Sequence, residues 1–309
     1  MHEHPVQIPE LSYGEPKFKH RLEYTAFRSF SFLLSLLPLK LSFIFVHLLA
    51  DFARVILKKK SRETFQSIQE KLKCEDREAH AILKKSYHTF AENWALLCQS
   101  YNDKNNVPEF SPEIKQLFEK AKKENRGIIF ATGHLSWWEQ VPKILHHQSH
   151  AIAITVAVQH NPLFDKYVNQ QRTCGGFHSI LHNRLGIRHT FNYLKKGGHL
   201  VILADVDVRE KGIPVPFMKQ LASTPKWPAE LSIRTNSLLC TTRHKIEHDG
   251  TQSIQVGPVI DPNDFTNKDT AIYEISKQMN DSLSKFVYDT PEQWFWLQRR
   301  WKTHFPEND

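Results

Sequence analysis

Between residues 127 and 288 short apolar runs alternate with longer stretches of helical period, and few folds accommodate that order. The runs at 127–132, 151–158, 201–204, 238–243 and 253–257 read as strands, and the stretches at 136–146, 163–173, 188–196, 226–235 and 267–288 read as helices. Alternation of this kind predicts an α/β fold with a mixed, mostly parallel sheet and helices on both faces. In such sheets sites form where strands end, so the residues just after each strand are where chemistry is to be sought.

The amino-terminal part has a different texture. Residues 1–24 are polar, with Pro5, Pro9 and Pro16, and read as a loosely ordered arm. Residues 29–50 (SFSFLLSLLPLKLSFIFVHLLA) are long enough to span a bilayer, which takes about 20 apolar residues. Pro38 and Lys40 divide the stretch into charge-free runs of 11 and 10 residues. Lys17, Lys19, Arg21 and Arg28 precede it, and Arg54, Lys58, Lys59, Lys60 and Arg62 follow, so the flanking charge gives no orientation. Basic residues at both ends suit a helical segment in contact with an anionic leaflet, as an interfacial anchor or a single span. A buried helical hairpin is the soluble alternative. From 62 to 99, Phe65, Ile68, Leu72, Ala79, Ile82, Leu83, Tyr87, Phe90, Trp94 and Leu97 recur at helical steps, the pattern of two core-facing helices. The expected organisation is therefore an arm (1–24), an apolar membrane-associated segment (25–60) and an α/β domain (61–309).

Composition removes several function classes. With 309 residues, 40% hydrophobic and 24% charged, the chain can bury a large core and is not disordered. A mean hydropathy of −0.48 excludes a polytopic membrane protein. The four cysteines, at 74, 98, 174 and 240, form no C-x-x-C pair and read as reduced thiols. Of the 18 histidines, the spaced pairs His146/His150 and His178/His182 lack a third ligand, so no metal is expected. The 11 glycines form no dinucleotide loop, phosphate loop or serine-hydrolase elbow. A net charge of +8 calls for a polyanionic partner. The basic residues are dispersed and no recognition motif is present, so nucleic acid is not expected.

One motif stands out. After the first strand comes Gly133-His134-Leu135-Ser136-Trp137-Trp138-Glu139. His134 sits at the strand exit, held by rigid structure yet open to a cleft. Glu139 follows five positions on, which in a regular helix is about 500° and leaves the two side chains roughly 140° apart. Only a His134 outside the helix lets the chain turn back and bring the carboxylate to the imidazole, where it would fix a tautomer and stabilise imidazolium. Ser136-x-x-Glu139 is equally a capping box, in which Glu139 bonds the Ser136 amide. The motif by itself leaves both open.

Gly133-His134 through Glu139 resembles the H-x4-[DE] block of glycerolipid and lipid A acyltransferases, in particular the late (secondary) lipid A acyltransferases. Further segments fall in that family's order: Asn161-Pro162-Leu163 with Arg172 and Gly175; Lys195 to Gly198 followed by Asp205-Val206-Asp207; Val215-Pro216-Phe217; Thr224-Pro225 with Pro228-Ala229 and Leu231; and Pro291 to Trp294 with Arg299-Arg300. The likeness runs over roughly residues 25–302. It implies a bacterial inner-membrane enzyme whose catalytic domain faces the cytoplasm. The implied reaction moves a fatty acyl group from acyl carrier protein (or acyl-CoA) to a hydroxyl of a lipid A precursor or related glycolipid, with the acyl thioester as co-substrate and no cofactor.

The resemblance makes His134 the general base and Glu139 its supporting carboxylate. It makes Arg172 a contact for acceptor phosphate or oxyanion, with Asp205, Asp207, Arg209 and Asn161 on the substrate side. Trp137 and Trp138 read as core aromatics, one of which would wall an acyl groove. The positive surplus then finds partners in anionic lipid, beside residues 58–62, and in a phosphorylated glycolipid and an acidic carrier protein, near Lys195, Lys196, Arg209 and Lys211. The chain departs from the family where Gly-Asn is usual and Ser136-Trp137 stands, and where Met218-Lys219 ends the Val-Pro-Phe block. These changes bear on acceptor and acyl chain, not reaction class. A lysophospholipid or another glycolipid acceptor is the nearest alternative. A non-catalytic membrane-binding module is the alternative of a different class.

Overall fold

Four helices precede the first strand: α1 (Phe18–Ser35), α2 (Leu39–Ile56), α3 (Lys58–Leu72) and α4 (Asp76–Cys98). This computed structural model describes residues 11–99, 108, 110–149, 151–247 and 249–305. The expected polar arm over 1–24 yields to helix at Phe18, and its first ten residues lie outside the described ones, as do His150 and most of the loop at 102–112. Pro38 ends the first helix and stands immediately before the second, because proline has no amide to donate and its ring clashes with the preceding turn. Leu34 and Val46 turn inward against Ala95 and Cys98 of α4. Phe32, Leu36, Ile44, Leu48 and Phe52 each leave 58–65% of their surface open, so the pair of helices is not fully buried. Among the described residues, no helix is long and apolar enough to cross a membrane.

Helix α5 (Pro112–Lys123) leads into β1 (Ile128–Thr132), followed by α6 (Gln140–Gln148), β2 (Ile152–Val156), α7 (Pro162–Cys174), β3 (His178–Leu181), α8 (Arg184–Lys195) and β4 (His199–Leu203). The hairpin of β5 (Ile213–Phe217) and β6 (Gln220–Thr224) precedes α9 (Trp227–Thr235), and β7 (Leu238–Ile246), β8 (Gln252–Ile260) and α10 (Lys268–Asp289) complete the regular elements. Among the described residues the main sheet has the order β3-β2-β4-β1-β7-β8, parallel throughout except for the antiparallel β7–β8 edge.

Alternate residues of β1 serve opposite faces, as strand period requires. Ile129 and Ala131 pack with Ile68, Ile82 and Ile275 from α3, α4 and α10. Ile128 and Phe130 pack with Ile114, Ile144 and Tyr167 from α5, α6 and α7. The helices expected at 163–173, 226–235 and 267–288 lie within a residue or two of those positions, and the one expected at 188–196 starts earlier, at Arg184. Three strands went unforeseen. β3 has four residues and little apolar run, and β5 contains Pro214 and Pro216, which confine it to a two-stranded hairpin away from the main sheet. β6, Gln220 to Thr224, is too polar to announce itself. The four cysteines are free.

Two histidines are sealed into the sheet. His199 on β4 and His244 on β7 are 7% and 0% exposed, and burial pushes both down to about 4 from the usual 6.5. The unfolded chain then binds more protons than the fold between those limits, so stability falls as pH drops through that window and is flat above it. Thermal unfolding should show a melting temperature unchanged between pH 7 and 8 and lower by about 5 °C at pH 5, a shift that His199→Asn or His244→Asn reduces.

Candidate active site

Strands β1 and β4 run parallel and adjacent, with Thr132 opposite Leu203. Continuing that register by two residues sets His134 opposite Asp205, where both chains leave the sheet at its carboxyl edge. The contact is made. Asp205 Oδ1 lies 2.8 Å from His134 Nδ1, and Oδ2 accepts the His134 backbone N–H at 2.7 Å. Oδ2 also accepts from Trp294 Nε1 and Gln298 Nε2, each at 2.8 Å. Asp205 is 1% exposed. Burial alone would raise its pKa, but the imidazole and these donors outweigh it and hold the carboxyl well below the usual range. An ionised carboxylate only accepts, so Nδ1 carries a proton, and in the neutral ring Nε2 presents a lone pair. Gly133 is required beside this group, since a Cβ there would lie 2.9 Å from Asp205 Oδ2.

The loop after β1 is held as an added strand by the carboxyl-terminal segment. Leu135 and Trp294 form an antiparallel bridge, the Phe295 N–H donates to the His134 carbonyl, and the Ser136 N–H donates to the Gln293 carbonyl. Ser136 has φ +52°, a left-handed conformation that excludes it from a helix, so α6 begins at Gln140 instead of the expected 136. Its Oγ lies 2.9 Å from His244 Nδ1, and His244 Nε2 lies 3.1 Å from Gln252 Oε1. With Gln252 Oε1 as acceptor, Nε2 holds the proton of this neutral ring and the Ser136 hydroxyl donates to Nδ1.

Among the described residues, neither reading of Glu139 drawn from spacing describes the contacts of its carboxylate. Its carboxylate takes a forked bond from Arg172, Nη2 to Oε1 at 2.7 Å and Nε to Oε2 at 3.1 Å. The Ser136 amide of the supposed capping box is bonded to Gln293. Glu139 and Arg172 are each 13% exposed, and Arg172 also donates to Asn169 Oδ1 at 3.3 Å. Glu139 is further fixed through its own amide, which donates to Asn93 Oδ1 of α4 at 3.2 Å. The carboxylate on the imidazole is thus Asp205, and Glu139 and Arg172 form a second charged pair on the same loop.

The other expected substrate contacts have protein partners. Asp205, expected on the substrate side, is wholly inward. Asp207 accepts from the Thr303 N–H and hydroxyl and from the Arg209 N–H. Arg209 is exposed at the site end of β4, as is Lys211. Asn161 caps α7, accepting from the Leu163 N–H at 3.1 Å and donating to the His20 carbonyl of α1. Lys195 and Lys196 precede β4 and therefore lie at the amino end of the sheet, not near His134, which corrects the expectation for them. Trp138 meets the His134 ring edge-on at 5.1 Å, with Phe90 and Phe295 beside it. Trp137 packs on Phe43 of α2 and stacks on His244, and its Nε1 donates to Glu92 Oε2 at 2.9 Å. Among the described residues, no group of three His, Cys, Asp or Glu side chains is arranged to hold a metal ion.

A model of the family described as bacterial lipid A biosynthesis acyltransferase matches residues 14–303. A phosphatidylinositol mannoside acyltransferase from Mycobacterium tuberculosis, in strains CDC 1551 / Oshkosh and ATCC 25618 / H37Rv, is 25% identical over 188 residues. That similarity covers 59% of this chain and 57% of the relative.

Ser136 carries both a strained φ and a buried hydroxyl bond, and two substitutions separate them. Ser136→Ala keeps the strain and leaves the His244 acceptor unpaired, for an expected loss of about 2 kcal/mol in urea unfolding. Ser136→Gly loses the same bond but relieves the backbone, and should recover about 1 kcal/mol of it. Equal stability of the two variants would contradict the strained geometry.

Proposed function

The chain belongs to the bacterial lipid A biosynthesis acyltransferase family, and from that premise we propose that it transfers a fatty acyl group to a hydroxyl of a glycolipid, with His134 as general base. The observation that carries this reading is the His134–Asp205 contact at the carboxyl edge of the sheet. His134 Nε2 takes the proton of the acceptor hydroxyl as its oxygen attacks the thioester carbonyl. The C–S bond breaks as the tetrahedral species collapses, and the imidazolium returns its proton to the departing thiolate. Asp205 fixes the tautomer and stabilises the imidazolium. Glu139 and Arg172 act together as a positioning pair, with Glu139 turning the guanidinium toward the side where acceptor phosphate or oxyanion charge arrives. Trp138, Phe90 and Phe295 supply an apolar wall beside His134 that suits an acyl chain. The acyl thioester is a co-substrate, and the chemistry needs no resident cofactor.

A late lipid A precursor is the acceptor this reading favours, with acyl carrier protein as donor. A mannosylated glycolipid is the second reading, favoured by the name of the mycobacterial relative. Exposed Arg209 and Lys211 at the site end of β4 would meet an acidic carrier. The open apolar faces of α1 and α2 suit the cytoplasmic face of a bacterial inner membrane. Lys58 and Lys59 begin α3 with no acidic residue in its first turn, a placement against the helix dipole that anionic lipid would offset.

The test is acyl transfer by the purified protein from an acyl-carrier-protein thioester to a glycolipid acceptor, with products read by mass spectrometry. His134→Ala should lower kcat by about 10³-fold with little change in melting temperature, and Asp205→Asn by about 10²-fold or more. Full activity of His134→Ala would overturn the assignment.

A further inference from the structure

A cavity of about 390 Å³ opens between α2, α4, the end of β7 and the segment after α10. His47, Lys85, His88 and Glu92 line it from the helices, and Lys245 and Glu247 line it from the end of β7. Two features tie it to the catalytic loop. Glu92 bonds both His47, at 2.6 Å, and the Trp137 indole, and Gln293, another lining residue, holds the Ser136 amide through its carbonyl. A third ties it to the apolar surface. His47 stands on α2 between Ile44 and Leu48, which are 58% and 64% exposed, so polar cavity and open apolar face share one helix.

The lining is dense in charge of both signs, with Glu92, Glu247, Asp289 and Glu292 facing Lys85, Lys245 and the two imidazoles. Lys245 pairs with Glu247 at 3.1 Å and with Asp289 at 3.2 Å, and the His47 and His88 rings stack with centroids 4.1 Å apart. A simple anion or cation would meet both signs at once. A sugar gains from both, because each hydroxyl donates to a carboxylate and accepts from an ammonium or imidazole. The volume lies in the range of small-ligand sites. A molecule with chains in the apolar layer and a polyhydroxyl headgroup at the lip of α2 has the matching shape.

We infer that this cavity is the headgroup subsite for the acceptor glycolipid, holding its sugar between α2 and the end of β7 while the acceptor hydroxyl reaches the loop that carries His134. The inference rests on the glycolipid reading of the function and adds where the sugar is held. His47 and Glu92 then link headgroup occupancy to Trp137, and so to the loop itself.

The test measures both KM values of the full chain in mixed micelles, with an acyl-carrier-protein thioester as donor and a phosphorylated glucosamine-disaccharide glycolipid as acceptor. Thr89→Trp fills the cavity from α4, and Lys85→Glu reverses one charge on its exposed rim. Each should raise the acceptor KM by about tenfold or more with the donor KM held within about twofold, since a subsite for the acceptor alone adds binding for one substrate only. An unchanged acceptor KM in either variant that retains the wild-type melting temperature overturns the subsite and leaves the transfer reading standing. Absence of transfer by the wild-type protein overturns both together.

Discussion

One buried carboxylate organises the functional end of this molecule. Asp205 binds the backbone and ring of His134, the indole of Trp294 and the amide of Gln298. Those donors come from the exit of β1 and from the last described turns of the chain. The carboxylate closes the loop after β1 against the carboxyl terminus, so the geometry at His134 depends on sequence 160 residues away. A buried charge of this kind is tolerable only because four donors and a neighbouring cation face it. Arg300, 1% exposed and stacked over Phe217, adds a buried cation nearby whose pKa burial pushes down to about 10.

The amino-terminal helices meet that centre from the other side. Helix α2 contributes Phe43 and His47 to the surroundings of Trp137, and α4 contributes Glu92 and Asn93. The same α2 keeps Ile44, Leu48 and Phe52 open. Helix α2 is thus apolar on its open face and in contact with the loop that carries His134 on its inner one. Pro38 makes this possible by breaking what would otherwise be one long apolar helix into two shorter ones that lie along the body.

Much of the fold was legible in the sequence, and the limits have definite causes. The strands β1, β2 and β4 are apolar runs and β7 begins as one, a pattern readable without tertiary context, whereas only part of β8 carries it. β3, β5 and β6 depend on their neighbours for pairing and carry no such signal. His134 was legible because it follows a strand, but its partner was not, since spacing reports neighbours along the chain and Asp205 is a neighbour across the sheet. Register is the missing quantity: once Thr132 is opposite Leu203, the pairing of 134 with 205 follows. Trp294 and Gln293 stood in a segment resembling one of the family's, yet nothing in the local sequence says that the segment folds back on residue 135. Ser136 was legible as a capping-box residue and as a departure, a side chain where glycine is usual, and its φ of +52° gives that departure its physical meaning.

The central claim is that the imidazole of His134 is protonated at Nδ1 and held there by Asp205. Nitrogen-15 and proton NMR of selectively labelled histidine tests it directly. A hydrogen-bonded Nδ1 proton on His134 should be present in the wild type, retained in Glu139→Gln and lost in Asp205→Asn. Its loss in Glu139→Gln with retention in Asp205→Asn would contradict the account.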